Sequence, residues 1–346
     1  MATQIKDERV AQTSLATKLL QRPELGALIG AAVIYMLFWG FDTTGNFAAV
    51  GGTAGWTDIA APIGIIAVFV ALLMIGGEFD LSTGVMVGTS GLLAGILTTE
   101  YNLNVWVAIV IVFAFALLVG FINGFVVVKT GLPSFIVTLA TFFVLRGANL
   151  AVTKELTGTV RVANVEDSAG FEGAFNVFAS RLEVGTSNFQ ISILWWIVAT
   201  VFATWLLTRT QFGNWIFAAG GDKVAARNAG VPVTRTKITL FMMSSLAAAF
   251  VGIMFVLRLQ GMQAGQGVGM EFFYIIAAAV GGTLLMGGAG SAIGASIGAA
   301  IMGIADIGIP YALWDQDWRW TFIGVILLAA VLTNTFIGNR AKGAKR

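Results

Sequence analysis

The sequence contains no cysteine and no histidine, and only 11% of its 346 residues are charged. The missing residue types exclude structural disulfides, thiolate metal sites and any chemistry that needs an imidazole group. A soluble domain carries about a quarter charged residues, so the low charge content also argues against a soluble fold. The net charge of +2 gives no indication of a nucleic-acid partner.

What the chain has in excess is apolar residues, which make up 57% of the sequence and give a mean hydropathy of +0.86. Several runs reach about twenty residues, enough to cross about 30 Å of hydrocarbon. The sequence therefore predicts an all-α, polytopic membrane protein with about ten transmembrane helices. The predicted segments are 25–41, 59–76, 84–99, 103–128, 134–152, 190–208, 237–258, 271–287, 289–309 and 318–338.

The placement of Lys and Arg predicts the orientation, because cytoplasmic loops are enriched in both residues. An even number of segments puts both termini on one side, and most of the 20 basic residues then fall on that side. The stretch 1–24 lacks a small-residue cleavage site and is expected to be a retained cytoplasmic tail. Residues 25–338 form the predicted membrane domain, and 339–346 form a second cytoplasmic tail. The long connection 153–189 is expected outside as a solvated loop, and 209–236 inside.

The 209–236 loop contains the signals of one short helix. Asp222 is a favourable N-cap, residues 223–229 can form two turns, and Gly230 suits the position just past the helix. Pro232 prevents the helix from continuing. An isolated helix this short is unstable in water, which favours a docking surface for it. The alternative is an ordinary basic loop that follows the charge rule.

The glycines indicate close helix packing, since many of the 43 are spaced by four residues. Such spacing lets helix backbones approach closely in lipid. The sequence also contains a weak internal repeat, since the Gly-Gly pairs at 76–77 and at 281–282 each precede further spaced glycines. Transporter folds often contain internal repeats. The spaced sets are Gly84 and Gly88, Gly91 and Gly95, Gly120 and Gly124, and Gly290, Gly294 and Gly298.

Residues 213–237, GNWIFAAGGDKVAARNAGVPVTRTK, resemble the cytoplasmic coupling segment of permease subunits from bacterial ABC importers for simple sugars, the ribose-type group. Three other stretches resemble the same family. They are the 76–84 stretch, with its GG-x-DLS-x-G signature and one extra residue before the aspartate, the stretch from Asn123 to Gly147, and the glycine-rich 281–291 stretch. Branched-chain amino acid permeases share parts of this pattern, which leaves such an amino acid as an alternative cargo.

The resemblance implies an ABC importer permease fold in the bacterial inner membrane, a monosaccharide or sugar alcohol as cargo, and a set of partners. These are two cytoplasmic ATPase subunits, a periplasmic sugar-binding protein, and a second permease subunit that is expected to be the same chain. The sequence contains no G-x-x-x-x-G-K-[ST] phosphate loop, so ATP-Mg is expected in the partner ATPase and no catalytic site or cofactor in this chain. The residues expected to couple to the ATPase are Asp222, Lys223, Ala226, Arg227, Asn228 and Gly230.

Several polar residues near the predicted segments are candidates for the transport path or a gate. Each also has a structural alternative, since carboxylates and hydroxyls can cap helices, amides can bond across helices, and an arginine can pair with a carboxylate. Glu271, Asp306, Asp315 and Asp317 are expected near the outer ends of segments, at the interface or against a binding protein. The path or gate candidates are Glu78, Asp80, Ser82, Asn123 and Arg146.

Other classes of function would require sets of residues that can be compared with those in the sequence. A secondary transporter driven by an ion gradient needs several buried ionisable residues to bind the ion. The candidates for that role, Asp80 and Arg146, are few in number and well separated in the sequence. A membrane-embedded enzyme needs a convergent catalytic set, and the sequence has no histidine, cysteine or metal-ligand cluster from which to build one. A passive channel is a third and weaker alternative.

Overall fold

The computed structural model describes residues 23–343, so most of the predicted 1–24 tail and the last part of the 339–346 tail lie outside the described residues. Within residues 23–343 the chain forms thirteen α-helices. They are α1 (Pro23–Phe41), α2 (Val50–Ile75), α3 (Thr83–Thr99), α4 (Val105–Thr130), α5 (Ser134–Thr157), α6 (Phe171–Phe178), α7 (Ser192–Arg209), α8 (Gln211–Gly221), α9 (Lys223–Asn228), α10 (Val233–Leu259), α11 (Met270–Val280), α12 (Ala292–Tyr311) and α13 (Trp318–Gly343).

Seven of these helices are long and apolar enough to cross a membrane: α1, α2, α4, α5, α7, α10 and α12. Three shorter apolar stretches, in α3, α11 and the first part of α13, lie where the sequence predicts further segments. The predicted all-α, multi-pass class is therefore confirmed, and the count of about ten stays a prediction.

The bundle is built around α2 and α10, which carry many of the fully buried side chains. Helix α2 packs mainly on α12, and α10 packs on α4 and α3. A Cβ atom on Gly120 would lie 2.6 Å from the Met242 Cα atom, so this glycine lets α4 and α10 touch backbone to backbone. Gly294 and Gly298 bring α12 equally close to Gly281 and Ala277 at the end of α11. The predicted close packing of spaced glycines is confirmed at these positions.

The predicted helices across 271–287 and 289–309 are wrong at their junction. Helix α11 ends at Val280, α12 begins at Ala292, and the residues between them form turns. Glycines such as Gly287 and Gly288, with φ of +81° and +76°, adopt a left-handed conformation that a continuous helix does not contain. Hydropathy could not reveal this break, because the turn is as rich in small and apolar residues as the helices around it.

The connection 153–189 is not the loop that the sequence predicts. It contains strand β1 (Arg161–Ala163), helix α6, and a hairpin of β2 (Arg181–Val184) and β3 (Ser187–Gln190). Strand β1 pairs antiparallel with β4 (Gly261–Gln263), which places Val162 opposite Met262. Val162 is buried against Gly95 of α3, and this apolar contact is the reason that the segment folds onto the bundle. We call this side of the molecule the sheet end, and the opposite side the α9 end.

Near the sheet end, α2 and α10 are joined by an ion pair that the sequence did not reveal. Arg258 donates from both terminal guanidinium nitrogens to the two carboxylate oxygens of Asp58, at 2.5 Å and 2.6 Å. A bidentate pair of this kind fixes the relative orientation of the two helices. Each side chain thereby has its charge compensated by the other.

Candidate functional site

Helix α9 is present as the sequence predicts, one residue shorter than 223–229. The Asp222 carboxylate accepts hydrogen bonds from the backbone N–H groups of Val224 at 2.9 Å and Ala225 at 3.0 Å. At the other end, Gly230 has a φ of +80°, the left-handed conformation expected just past a helix. The local signals therefore define both ends of the helix.

The side chains of α9 divide into one anchor and an exposed surface. Ala226 is buried against Ala219 and Val233, so it holds the helix on the bundle and is not available to a partner. The rest of the helix is exposed, including an apolar residue, Val224, at 61%. We call this exposed set the coupling surface; it consists of Lys223, Val224, Ala225, Arg227 and Asn228.

Helix α8 precedes α9 and was missed in the sequence. It begins at the N-cap Thr210, whose hydroxyl accepts a hydrogen bond from the Gly213 N–H at 3.2 Å. Its buried residues Gly213, Ile216 and Ala219 recur every three positions, which is a helical spacing that could have revealed it. Helices α8 and α9 together form a helical hairpin at the α9 end.

Four glycines connect this hairpin to the turns that follow α2 and α11. We call these four glycines the glycine junction. They are Gly77, Gly220, Gly287 and Gly288. A Cβ atom on Gly220 would collide with the Ile75 carbonyl oxygen and lie 2.9 Å from the Gly288 nitrogen. Gly288 in turn donates its N–H to that same Ile75 carbonyl at 2.8 Å. Three separate segments thus meet backbone to backbone with no side chain between them.

The weak internal repeat in the sequence corresponds to a backbone turn of the same conformation at both places. The turn after α2 contains Gly77 with a φ of +79°, and the turn after α11 contains Gly282 with a φ of +90°. In both turns the glycine N–H bonds a carbonyl three residues back, and the next residue, Glu78 or Thr283, bonds a carbonyl five residues back. Both turns lie beside the glycine junction, so the α8–α9 hairpin contacts the chain just past two helix ends.

Glu78 lies at the α9 end, in the connection between α2 and α3. It forms an ion pair with Lys237, in the second turn of α10, and both side chains are largely buried. Removing one partner of a buried pair costs about 3–5 kcal/mol, because the other charge is left uncompensated. The pair therefore links the start of α10, which follows α9 in the chain, to the start of α3.

Asp80, Ser82 and Asn123 belong to one buried polar network. The Ser82 hydroxyl donates to Asp80 at 2.6 Å, and the Asn123 amide donates to the Ser82 oxygen at 3.1 Å. Thr141 then donates its hydroxyl to the Asn123 carbonyl oxygen at 2.6 Å. The network ties α3, α4 and α5 together, which is the cross-helix role weighed for Asn123. Ser82 does not cap α3 through its side chain, since its hydroxyl is used by Asp80.

Arg146 is placed differently from the other four path candidates. It lies at the middle of the 24-residue helix α5, about 18 Å from the first residue at 1.5 Å per residue. Its side chain is exposed, and it takes part in none of the ion pairs formed among the described residues. An arginine at the centre of a lipid-facing helix costs about 2.5–3.5 kcal/mol on insertion scales, so lipid is an unfavourable environment for this side chain.

The sequence predicts Glu271 at an outer interface, and this prediction is wrong. It is 4% exposed in the first turn of α11, where its carboxylate accepts the Gly269 N–H at 3.0 Å and packs on Gly84 at the start of α3. The broken helix explains the misplacement, because α11 begins well inside the bundle.

The other three acidic residues lie near the sheet end. Asp306 pairs with Arg319 at 2.5 Å and joins α12 to α13. Asp315 and Asp317 are exposed in the connection between those helices, where the Asp317 N–H bonds the Asp315 carboxylate at 2.9 Å. Among the described residues no group of three or more acidic side chains is arranged to hold a metal ion.

The fold and the site define a multi-pass membrane protein: apolar helices surround embedded polar groups, and a capped helix is exposed at one end. The chain belongs to the family described as branched-chain amino acid transport system / permease component, whose model matches residues 52–331. The resemblance found in the sequence is thereby confirmed, and the chain is a transport subunit and not an enzyme.

The curated relatives are similar over most of their length. The chain is 29% identical to the ribose import permease protein of Haemophilus influenzae, over 92% of this chain and 94% of the relative. It is 30% identical to the xylose transport system permease protein of Escherichia coli (strain K12), over 88% and 90%. It is 27% identical to the fructose import permease protein of Rhizobium meliloti, over 80% and 76%. No solved structure matches the chain.

The cap of α9 gives a direct test of the local structure. Asp222→Ala removes the side-chain acceptor of two N–H groups and should destabilise α9 by about 1 kcal/mol, which accelerates amide hydrogen exchange about fivefold. Asp222→Asn keeps an acceptor oxygen and serves as the matched control. Exchange in 223–229, measured by mass spectrometry, should rise in the alanine variant alone. Equal exchange in both variants would show that Asp222 does not hold the helix.

Proposed function

We propose that this chain is the membrane-spanning permease subunit of an ATP-driven, binding-protein-dependent importer of a monosaccharide or sugar alcohol. Family membership supports the permease role, and relatives whose names specify ribose, xylose and fructose support the sugar class. The structural observation that carries the proposal is the coupling surface of α9, which protrudes beside the glycine junction.

The coupling surface is the docking site for the ATPase. It combines an exposed apolar side chain, Val224, with the basic Lys223 and Arg227, on a helix whose ends are fixed. A short helix laid into a groove is a recurrent mode of recognition. The α9 end therefore faces the cytoplasm, and the sheet end faces the periplasm, where a binding protein delivers the sugar. In a bacterial inner membrane this orientation leaves both termini in the cytoplasm.

Two routes carry the movement of α9 into the bundle. The first is the glycine junction, where Gly220 touches the ends of both glycine turns. The second runs along the chain from α9 into α10, and from Lys237 to Glu78 at the entry of α3. Beyond Glu78, the network of Asp80, Ser82 and Asn123 ties α3 to its neighbours, so these helices are expected to move as a unit. Such a movement suits alternating access between two bundle arrangements.

A second copy of the chain completes the transport path. The exposed Arg146 at the middle of α5 needs water or protein beside it, not lipid. A second permease subunit facing α5 would enclose a polar space around this side chain. The path is therefore placed between two copies and not inside one bundle.

The substrate class is tested by uptake. The chain is reconstituted with its ATPase and binding protein, and ATP-dependent uptake of labelled ribose, xylose, fructose and myo-inositol is compared with that of leucine. Uptake of at least one of the three sugars or of myo-inositol, with no leucine uptake, is the expected result. Leucine uptake with no uptake of these four compounds would overturn the proposed substrate class in favour of a branched-chain amino acid.

A further inference from the structure

The segment between α10 and α11 re-enters the bundle without forming a helix. After β4, residues 264–269 run along α3 towards the α9 end. The Gln266 carbonyl packs on Gly88 of α3, and the Gly267 carbonyl lies 2.6 Å from the position of a Cβ atom on Gly84. The segment therefore descends by about one helical turn along α3 before α11 begins.

The depth of this segment follows from its neighbours. The Asn149 amide lies 3.8 Å from the position of a Cβ atom on Gly88, so Gln266 lies at the level of Asn149. Asn149 is one turn from Arg146, at the middle of α5. Gln266 and Arg146 are therefore at similar depth, near the centre of the membrane-spanning bundle.

Non-helical backbone at this depth restricts what can surround it. Non-helical backbone is tolerated inside a membrane only where protein covers it or where it lines a water-filled cavity. Here Gln263 and Gly265 are exposed, and residues 266–270 are half-buried. The open side of the segment therefore faces water or a second protein and not lipid, and an exposed arginine at the same depth requires the same environment. A path between two copies of the chain supplies such an environment.

We propose that Gln263, Gln266 and Arg146 form a polar belt that contacts the sugar as it passes between two copies of the chain. The belt rests on the proposed function, since it assigns residues to that path. A glutamine amide both donates and accepts hydrogen bonds, and a guanidinium group donates several, which matches the mixed donors and acceptors of a hydroxylated ring. Phe272, 53% exposed at the start of α11, offers an apolar surface for the carbon face of such a ring.

The belt consists of two amides and a permanent cation. Glu271 is turned inward and takes the Gly269 N–H, so it is not offered to the substrate. The ligand class that fits is a neutral or anionic polyol. A cationic sugar is disfavoured by Arg146 at the same depth.

Because the sequence contains no cysteine, a cysteine introduced into the belt is the only thiol in the chain, and its reactivity can be measured directly. Gln266→Cys and Arg146→Cys are introduced separately into the reconstituted transporter with its ATPase and binding protein. Each is treated with a charged, water-soluble methanethiosulfonate reagent. Val144→Cys is the matched control, because Val144 is 68% exposed on the same helix, about 200° around the axis from Arg146.

We expect both belt thiols to react at least tenfold faster than the Val144→Cys thiol, and we expect sugar-loaded binding protein with ATP to slow their reaction at least threefold. Belt thiols that react no faster than the control would overturn the water-filled belt. Fast reaction without protection by any sugar would overturn the sugar contact. The comparison of reaction rates does not depend on ATP-driven uptake, whereas protection by sugar does. A failure of the proposed function is therefore recognised separately, by an uptake assay on the cysteine-free chain.

Discussion

Replacing residues 222–229 by a flexible Gly/Ser sequence of equal length is expected to abolish both ATPase association and ATP-driven uptake, while membrane insertion is retained. The replacement removes the cap, the helix and the coupling surface together. A few docking residues commonly contribute 2 kcal/mol or more each to an interface, so association should weaken by about 100-fold or more. Only Ala226 of this helix is buried, so the bundle itself should lose little stability.

The measurement is co-purification of the ATPase with the tagged permease, together with the yield of folded permease from the membrane. The matched control places a Gly/Ser sequence of the same length at 181–188, in the β2–β3 hairpin, which lies at the opposite end of the molecule. That control should keep normal ATPase association. A 222–229 variant that still co-purifies at the wild-type ratio would show that α9 is not the docking helix.

The second large effect is expected at the glycine junction. Gly220→Ala adds a methyl group that collides with the Ile75 carbonyl and approaches the Gly288 nitrogen at 2.9 Å. Backbone atoms cannot rotate away as a flexible side chain can, so the hairpin must shift, at a typical overpacking cost of about 1–3 kcal/mol. Since the junction joins the α8–α9 hairpin to both glycine turns, we expect uptake to fall at least tenfold.

The neighbouring glycine provides the control. A Cβ atom on Gly221 would meet nothing within 4 Å, and this residue is also at the end of α8. Gly221→Ala should therefore transport at the wild-type rate and gain a few tenths of a kcal/mol in stability, because alanine favours helix. ATPase co-purification is measured in both variants, and Gly220→Ala should retain most of it. Equal uptake by the two variants would remove the junction from the coupling route.

Much of the fold could be predicted because its signals are local. Long apolar runs located the helices that cross the bundle, and the cap at Asp222 with the stop at Gly230 defined α9 within one residue. Each of these signals depends on residues a few positions apart. They need no knowledge of which helices pack together.

The conformation of the two non-helical regions beside α11 could not be predicted, for the opposite reason. The 281–291 turn is rich in glycine and small apolar residues, so hydropathy does not separate it from helix, and the 264–269 segment lies in a connection between two predicted segments. Their conformation is set by contacts with distant parts of the chain, such as Gly88 and Gly220. Glu271 was consequently assigned to an outer interface, whereas it lies inside the bundle.

The polar candidates illustrate the same limit. Asp80 and Ser82 are neighbours in sequence, but their partner Asn123 is 41 residues from Ser82, and Glu78 pairs with Lys237 across 159 residues. Residue type identified these groups as unusual in an apolar chain. Only the structure separates the buried network from Arg146, which is exposed on α5.

The central claim is that a partner ATPase powers this chain, and the source of energy for uptake tests it most directly. Proteoliposomes containing the permease, the ATPase and the binding protein are loaded with ATP, and sugar uptake is followed with proton and sodium gradients collapsed by ionophores. We expect uptake to be undiminished when the gradients are collapsed, and to disappear when a non-hydrolysable ATP analogue replaces ATP. Uptake that persists without ATP and requires an ion gradient would contradict the account.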